Sequence, residues 1–278
     1  MNLKFTKMHG LGNDFVIINN LYENFSLSIE QIKLLANRNF GIGFDQLLFI
    51  EPSNNNQGDF HYRIFNADGS EAEQCGNGVR CIARYLIENN LTNKNPLKLS
   101  AKSGFMEVNI NNSDFDFIKV NMGEPILNPL AIPFNRARQE KRYQLNLFES
   151  EQDIMVISMG NPHAIVMTNN IKQAPVTTLG PRIAKHPDFP ESVNIEFMQI
   201  INRSEISLRV FERGAGETLA CGTGACAAVV AGILNDMLDR CVKVELPGGT
   251  LTIEWQGIGH PVYMTGAAVS VFNGTLEL

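Results

Sequence analysis

The sequence predicts an α+β protein of two pseudo-symmetric domains, each a curved, mostly antiparallel sheet around a central helix. Three observations carry this reading. Phe65–Gly78 reads F-N-A-D-G-S-E-A-E-Q-C-G-N-G, and 146 residues later Phe211–Gly224 reads F-E-R-G-A-G-E-T-L-A-C-G-T-G. Phe65 falls on Phe211, Glu71 on Glu217, Cys75 on Cys221, Gly76 on Gly222 and Gly78 on Gly224. At an offset of 148, Gly12-Asn13 before Val16-Ile17-Ile18 matches Gly160-Asn161 before Ala164-Ile165-Val166, and Gln46-Leu47 matches Asn194-Ile195. Shared order at a nearly constant offset points to duplication. The third observation is many short β-branched segments set among few helix-compatible ones.

In chain order, the strand pattern fits Phe15–Asn19, Leu47–Glu51, Tyr62–Phe65, Leu97–Ala101, Met106–Ile110, Phe117–Met122, Ile154–Ser158 and His163–Met167. It continues through Ile195–Ile201, Glu205–Phe211, Lys243–Leu246, Gly249–Trp255 and Val262–Ala268. Each is short, and Gly, Asn, Asp or Pro bounds it. Helical periodicity fits Ile29–Arg38, Cys75–Glu88, Pro175–Lys185 and Cys221–Asp236. Three prolines at Pro125–Pro133 interrupt the strand pattern and mark the domain boundary. The polar stretch Ser53–Gly58 reads as an exposed hairpin loop.

Composition narrows the function. A chain of 278 residues, 44% hydrophobic with net charge −6, has room for two domains and no electrostatic reason to hold nucleic acid or an anionic membrane. The N-terminus lacks the apolar core of a signal peptide, and the longest apolar run, Ala225–Leu234, is too short to span a bilayer. A cytoplasmic location is expected. Five cysteines, Cys75, Cys81, Cys221, Cys226 and Cys241, make an odd set for a disulfide framework. Their spacing does not suit zinc, so no metal is expected. Neither glycine loop carries a Schiff-base lysine or a P-loop pattern, so no cofactor is expected.

The chemistry concentrates at the paired C-G-x-G motifs. Glycines there allow a tight turn that bares N–H groups at a helix N-terminus, where a carboxylate binds and a thiol pKa falls. One such cysteine reads most simply as a small residue packed at a helix start; two at repeat positions read as a pair of acid–base groups facing one small molecule. Asn13, Gln46, Asn66, Asn161 and Asn194 recur at equivalent loops and offer amides to a polar ligand. Glu212-Arg213 ends a strand shortly before Cys221 and offers a charged clamp, and His163 offers a group to orient or deprotonate a thiol.

These residues resemble the diaminopimelate epimerase family over nearly the whole chain. The carriers are Met8–Phe15, Gly43–Gln46, Phe65–Glu71, Cys75–Cys81, Met159–His163, Glu212–Thr218 and Ala220–Gly224. The resemblance implies a cofactor-independent epimerase that interconverts LL- and meso-2,6-diaminopimelate on the route to lysine and peptidoglycan. It implies an active site in the interdomain cleft, with residues 1–121 plus 267–278 forming the domain of Cys75 and residues 122–266 that of Cys221. For the LL substrate it makes Cys221 the accepting thiolate and Cys75 the donating thiol, supported by His163 and Glu212. It places substrate contacts at Asn13, Gln46, Asn66, Gly76, Asn77, Asn161, Asn194, Glu212, Arg213, Gly222 and Thr223. It also implies a homodimer, with Phe272 where the family often carries tyrosine at the dimer contact. The rival readings are a two-cysteine racemase of proline or hydroxyproline and a non-catalytic amino-acid-binding protein.

Overall fold

The computed structural model describes residues 2–23, 25–53, 58–72, 75–102, 104–111, 114–147 and 150–277; the core of the 53–58 loop lies outside them. The chain forms two compact units, residues 1–121 with 265–278 and residues 122–264. No helix among the described residues is long and apolar enough to cross a membrane.

The first unit contains β1 (Asn2–Gly10), β2 (Asn13–Asn19), α1 (Ile29–Ala36), β3 (Gln46–Pro52), β4 (Phe60–Asn66) and β5 (Glu71–Ala72). After these come α2 (Gly76–Glu88), β6 (Leu97–Ala101), β7 (Gly104–Asn111) and β8 (Asp114–Asn121). The second unit contains β9 (Tyr143–Asn146), β10 (Glu151–Ser158), β11 (Pro162–Met167), α3 (Val176–Ala184), β12 (Asn194–Asn202), β13 (Glu205–Glu212) and β14 (Gly216–Thr218). Then follow α4 (Gly222–Leu234), β15 (Cys241–Leu246) and β16 (Gly249–Trp255). The last two strands are β17 (Val262–Gly266) and β18 (Val269–Glu277), and β18 pairs with β1 in the first unit.

Pairing repeats from one unit to the other. In the first, β2 runs parallel to β3 and β4 parallel to β6; in the second, β11 runs parallel to β12 and β13 to β15. A parallel pair needs a crossover, and α1, α2, α3 and α4 supply one each. Register repeats too: Phe15 faces Gln46 as His163 faces Asn194, and Phe65 faces Glu71 as Phe211 faces Glu217. An Arg63–Glu71 ion pair at 2.8 Å recurs as Arg209–Glu217 at 2.7 Å. Both 13-residue helices α2 and α4 stop in the same way. Asn89 and Asn235 each donate a side-chain amide to a carbonyl four residues back at 2.9 Å, and Asn90 and Asp236 follow with positive φ.

The central helices sit within their sheets. α2 packs on β1, β2, β3, β7, β8 and β18, while α4 packs on β10, β11, β12 and β16. Leu47 to Ile50 of β3 are all buried, because Leu47 and Phe49 join a core under α1 while Leu48 faces Gly78 of α2. A matching core in the second unit gathers Ile165's neighbours Ala164 and Val166 with Ile183, Ile195 and Phe197 under α3. Helix α1 starts on a capping box, Ser28 with Gln31, and ends at Ala36 rather than Arg38, whose side chain turns to Asp14 and Asp45.

Candidate active site

Each repeat cysteine is the N-cap of its unit's central helix. Cys75 takes φ −147°, ψ 114° and Cys221 takes φ −120°, ψ 111°, extended values that hand the chain into the first turn and leave its N–H groups outward. The structure thus starts the helices one residue later than the sequence pattern does, with the sulfur beside the helix mouth.

In the first unit, strand register brings Asn13, Gln46 and Asn66 to the edge where α2 begins. Cys75 Sγ donates to Asn13 Oδ1 at 3.7 Å, and Asn77 Nδ2 donates to the same oxygen at 3.3 Å. Asn13 Nδ2 donates to Asp45 Oδ2 at 3.1 Å, which fixes the amide with its oxygen toward the sulfur. Gln46 Nε2 donates to Asn66 Oδ1 at 2.9 Å. Below this edge Lys7 and Arg38 meet Asp14 at 2.5 and 2.8 Å. Burial alone would raise the Asp14 carboxyl, but the hydrogen bonds from Arg38 and Lys7 outweigh it and leave the group far below its ordinary value. Gly76 is buried, and its carbonyl accepts from Arg80, a fully buried side chain that also donates to Asn77 Oδ1 at 2.9 Å and to Ala267 O at 3.2 Å.

The second unit builds the same edge with different chemistry. Cys221 Sγ accepts from Gly224 N at 3.4 Å and meets Thr223 Oγ1 at 3.5 Å. Thr223 Oγ1 accepts from Asn161 Nδ2 at 3.3 Å, Asn161 Oδ1 meets His163 Nε2 at 3.0 Å, and His163 Nδ1 meets Glu196 Oε1 at 2.7 Å. Asn194 is buried and accepts the Arg213 backbone N–H at 2.8 Å. Gly222, buried, opens the helix.

Electrostatically this half is acidic. Burial raises the Glu212 carboxyl, aided by Glu196, against hydrogen bonds from Thr218 and Cys221 and the attraction of His163. Burial, then Glu212 and Glu196, push the Cys221 thiol well above its ordinary value, against the pull of Thr223 and the Gly224 N–H. The expectation that a helix N-terminus depresses the thiol pKa therefore does not hold at Cys221, where desolvation and two carboxylates outweigh it.

Two further expectations change on inspection. His163 does not touch a thiol; Glu196 and Asn161 occupy its ring nitrogens, so it reaches Cys221 through Asn161 and Thr223. Glu212 and Arg213 meet different partners in this structure, because Glu212 is the last residue of β13 and Arg213 lies in the turn that follows. Glu212 turns in toward Thr218 and Cys221, whereas the exposed Arg213 guanidinium donates to the Glu191 carbonyl at 2.8 Å. Sequence reasoning missed Asp45, Glu196, Thr218 and Arg80. For Glu196 a signal existed: the 148-residue offset sets it opposite an apolar Leu48.

A sequence profile described as diaminopimelate epimerase matches residues 5–128 and 155–271, which include both half-sites. The chain belongs to the diaminopimelate epimerase family. A diaminopimelate epimerase of Nitrosomonas eutropha is 53% identical over 281 residues, covering 100% of each chain. Among solved structures, a PhzF-family phenazine biosynthesis protein of Bacillus anthracis superposes with TM-score 0.71 at 18% identity over 100% of both chains. A hydroxyproline epimerase of Agrobacterium vitis does so with TM-score 0.70 at 13% identity, over 99% of this chain and 92% of its own. At such identities these two likenesses speak for the fold alone. Membership of the diaminopimelate epimerase family rests on the profile and the close relative.

Proposed function

We propose that this chain interconverts LL- and meso-2,6-diaminopimelate without a cofactor, using Cys75 and Cys221 as a thiol and thiolate pair. The observation that carries the reading is the pair of cysteine N-caps in equivalent half-sites of a diaminopimelate epimerase family chain. For the LL substrate, Cys221 takes the α-proton and Cys75 delivers one to the opposite face. Each helix mouth offers N–H groups suited to the α-carboxylate, and donors already in place where charge develops stabilise the carbanion. The two sulfurs hold one proton between them, so they titrate as a coupled unit. Glu212 stands next to Cys221, and His163 works through Asn161; both support the transfer rather than replace a thiol.

Asn13, Gln46, Asn66, Gly76, Asn77, Asn161, Asn194, Glu212, Arg213, Gly222 and Thr223 supply the substrate contacts. Arg213 is exposed and, among the described residues, its guanidinium donates to a backbone carbonyl, for which a carboxylate would be a stronger partner. A homodimer in the cytoplasm completes the proposal. Phe272, 49% exposed on β18 and edge-on to Phe5 at 6.0 Å, supplies its aromatic contact. Phe272→Glu should then yield monomers in sedimentation, and an unchanged dimer would remove that contact.

The test of function is a stereochemical assay of LL-diaminopimelate with no added cofactor. Formation of the meso isomer supports the reading. Inversion of proline or hydroxyproline instead, or binding without inversion, would replace it.

A further inference from the structure

The two halves anchor their asparagines with opposite hydrogen-bond polarity. In the first, Asp45 takes the amide N–H of Asn13, so the amide oxygen faces Cys75 Sγ and accepts. In the second, the amide nitrogen of Asn161 donates to Thr223 Oγ1. A hydroxyl oxygen that accepts there keeps its own proton for Cys221 Sγ, which also takes the Gly224 N–H. Cys75 Sγ is placed as a donor, whereas Cys221 Sγ, besides its hydrogen bond to Glu212, has two donors set against it.

What sets the second polarity is a chain that ends at Glu196. With its nitrogen turned to Thr223, Asn161 presents its oxygen to His163 Nε2, which must therefore carry a proton. His163 Nδ1 and Glu196 Oε1, 2.7 Å apart, then hold one further proton between them. Both residues are fully buried, and Glu196 Oε2 has no hydrogen-bond partner among the described residues. Burying a carboxylate oxygen bare costs free energy, so packing alone does not account for it. The repeat shows what packing alone would use: the 148-residue offset sets Phe15 opposite His163 and Leu48 opposite Glu196. Those two apolar side chains lie at 3.4 Å from a Cβ built on Gly78, where in the second half Glu196 lies at 2.6 Å from one built on Gly224.

We propose that Glu196 is a positioning residue that, through His163 and Asn161, orients the Thr223 hydroxyl toward Cys221 and so equips that sulfur to receive the substrate proton. The inference rests on the two-thiol reading of the site. Without a partner at Nδ1, His163 can move its proton there and accept at Nε2. Asn161 then turns over, its oxygen takes the Thr223 proton, and the sulfur loses a donor.

The test compares iodoacetamide alkylation of Cys221 and Cys75 within one sample by mass spectrometry, in wild type, Glu196→Leu and Glu196→Gln. Folding is followed by thermal melting. Loss of one hydrogen bond to a charged sulfur should slow Cys221 alkylation about tenfold in Glu196→Leu, while Cys75 changes little. Glu196→Gln can donate to Nδ1 and so hold the proton at Nε2, and with the carboxylate's charge gone Cys221 should react at least as fast as in wild type. Should Glu196→Leu fail to fold, His163→Phe with Glu196→Leu reproduces the residue pair of the first half and carries the same expectation. A residue acting only as a nearby negative charge would, when removed, speed Cys221 alkylation in both the Leu and Gln variants; that result, an unchanged rate, or equal slowing of both cysteines overturns the proposal. Alkylation needs no turnover, so it is read separately from the cofactor-free assay that tests the epimerase itself.

Discussion

Cys221 illustrates how one side chain is pulled two ways. Two donors favour its thiolate, while burial and the carboxylates of Glu212 and Glu196 favour the thiol, and the second set prevails. Alkylation of Cys221 should therefore go on accelerating above pH 9.0, the ordinary thiol value, instead of levelling there. A plateau below that pH would mean that burial and the two carboxylates do not dominate the thiol. Asp14 presents the opposite case. Its folded-state pKa is lowered, so its bonds to Arg38 and Lys7 stabilise the fold fully above 3.8 and less as pH falls below that value toward the depressed one. Asp14→Asn should cost about 2 kcal/mol at neutral pH. Urea titrations should show the gap to wild type narrowing in acid, and a constant gap would detach Asp14 from these partners. Glu196 shows why residue-level reading falls short. Within the apolar run of β12 it looks like a strand residue turned to solvent, and only the fold, which puts His163 beside it and α4 above it, reveals a buried acid.

At the scale of elements, equivalent helices begin alike but tolerate different changes. A Cβ on Gly78 would meet Leu48 and Phe15 at 3.4 Å, an ordinary contact that costs little. A Cβ on Gly224 would lie 2.6 Å from Glu196 Oε1, so the first turn of α4 or the carboxylate must shift. Gly78→Ala should leave stability within about 1 kcal/mol of wild type, and Gly224→Ala should lose about 1–3 kcal/mol together with most activity. Denaturant melts and the inversion assay check both, and equal responses would mean that Glu196 does not press on the first turn of α4. The central helices were legible because cysteine, two glycines and an apolar run recur in order. Strand β1 was not, since Thr6 is its one β-branched residue and its buried Lys7 reads as a surface charge until Asp14 is placed beside it. Strands β5 and β14, of two and three residues, are too short to carry a periodic signal. β9, four residues that alternate buried and exposed, became a strand by pairing with β10.

For the molecule as a whole, duplication explains both the economy of the fold and the division of labour. The same register, crossover helices and helix caps occur in both units, so the scaffold needed to hold a cysteine at a helix mouth was available twice. Divergence then fell on the residues around each sulfur: Asn77 against Thr223, Asn66 against Glu212, Phe15 against His163 and Leu48 against Glu196. The sparse identities preserved the pattern of the scaffold, which is why fold class was readable from sequence. The divergent positions carry the electrostatic asymmetry, which is why it was not. A two-thiol enzyme makes each half indispensable, so Cys75→Ala and Cys221→Ala should each abolish inversion while leaving a folded protein.

Exchange with deuterated water tests the two-thiol claim most directly. A thiolate that has removed the α-proton holds only that proton, and return from the same face restores the original hydrogen. Delivery from the opposite thiol brings a solvent-derived one. Early in the reaction, the meso product formed from LL-diaminopimelate should carry deuterium at the inverted carbon, while recovered LL substrate stays largely unlabelled. Rapid labelling of the recovered substrate would instead assign both faces to one exchanging base and contradict the separate roles of Cys75 and Cys221.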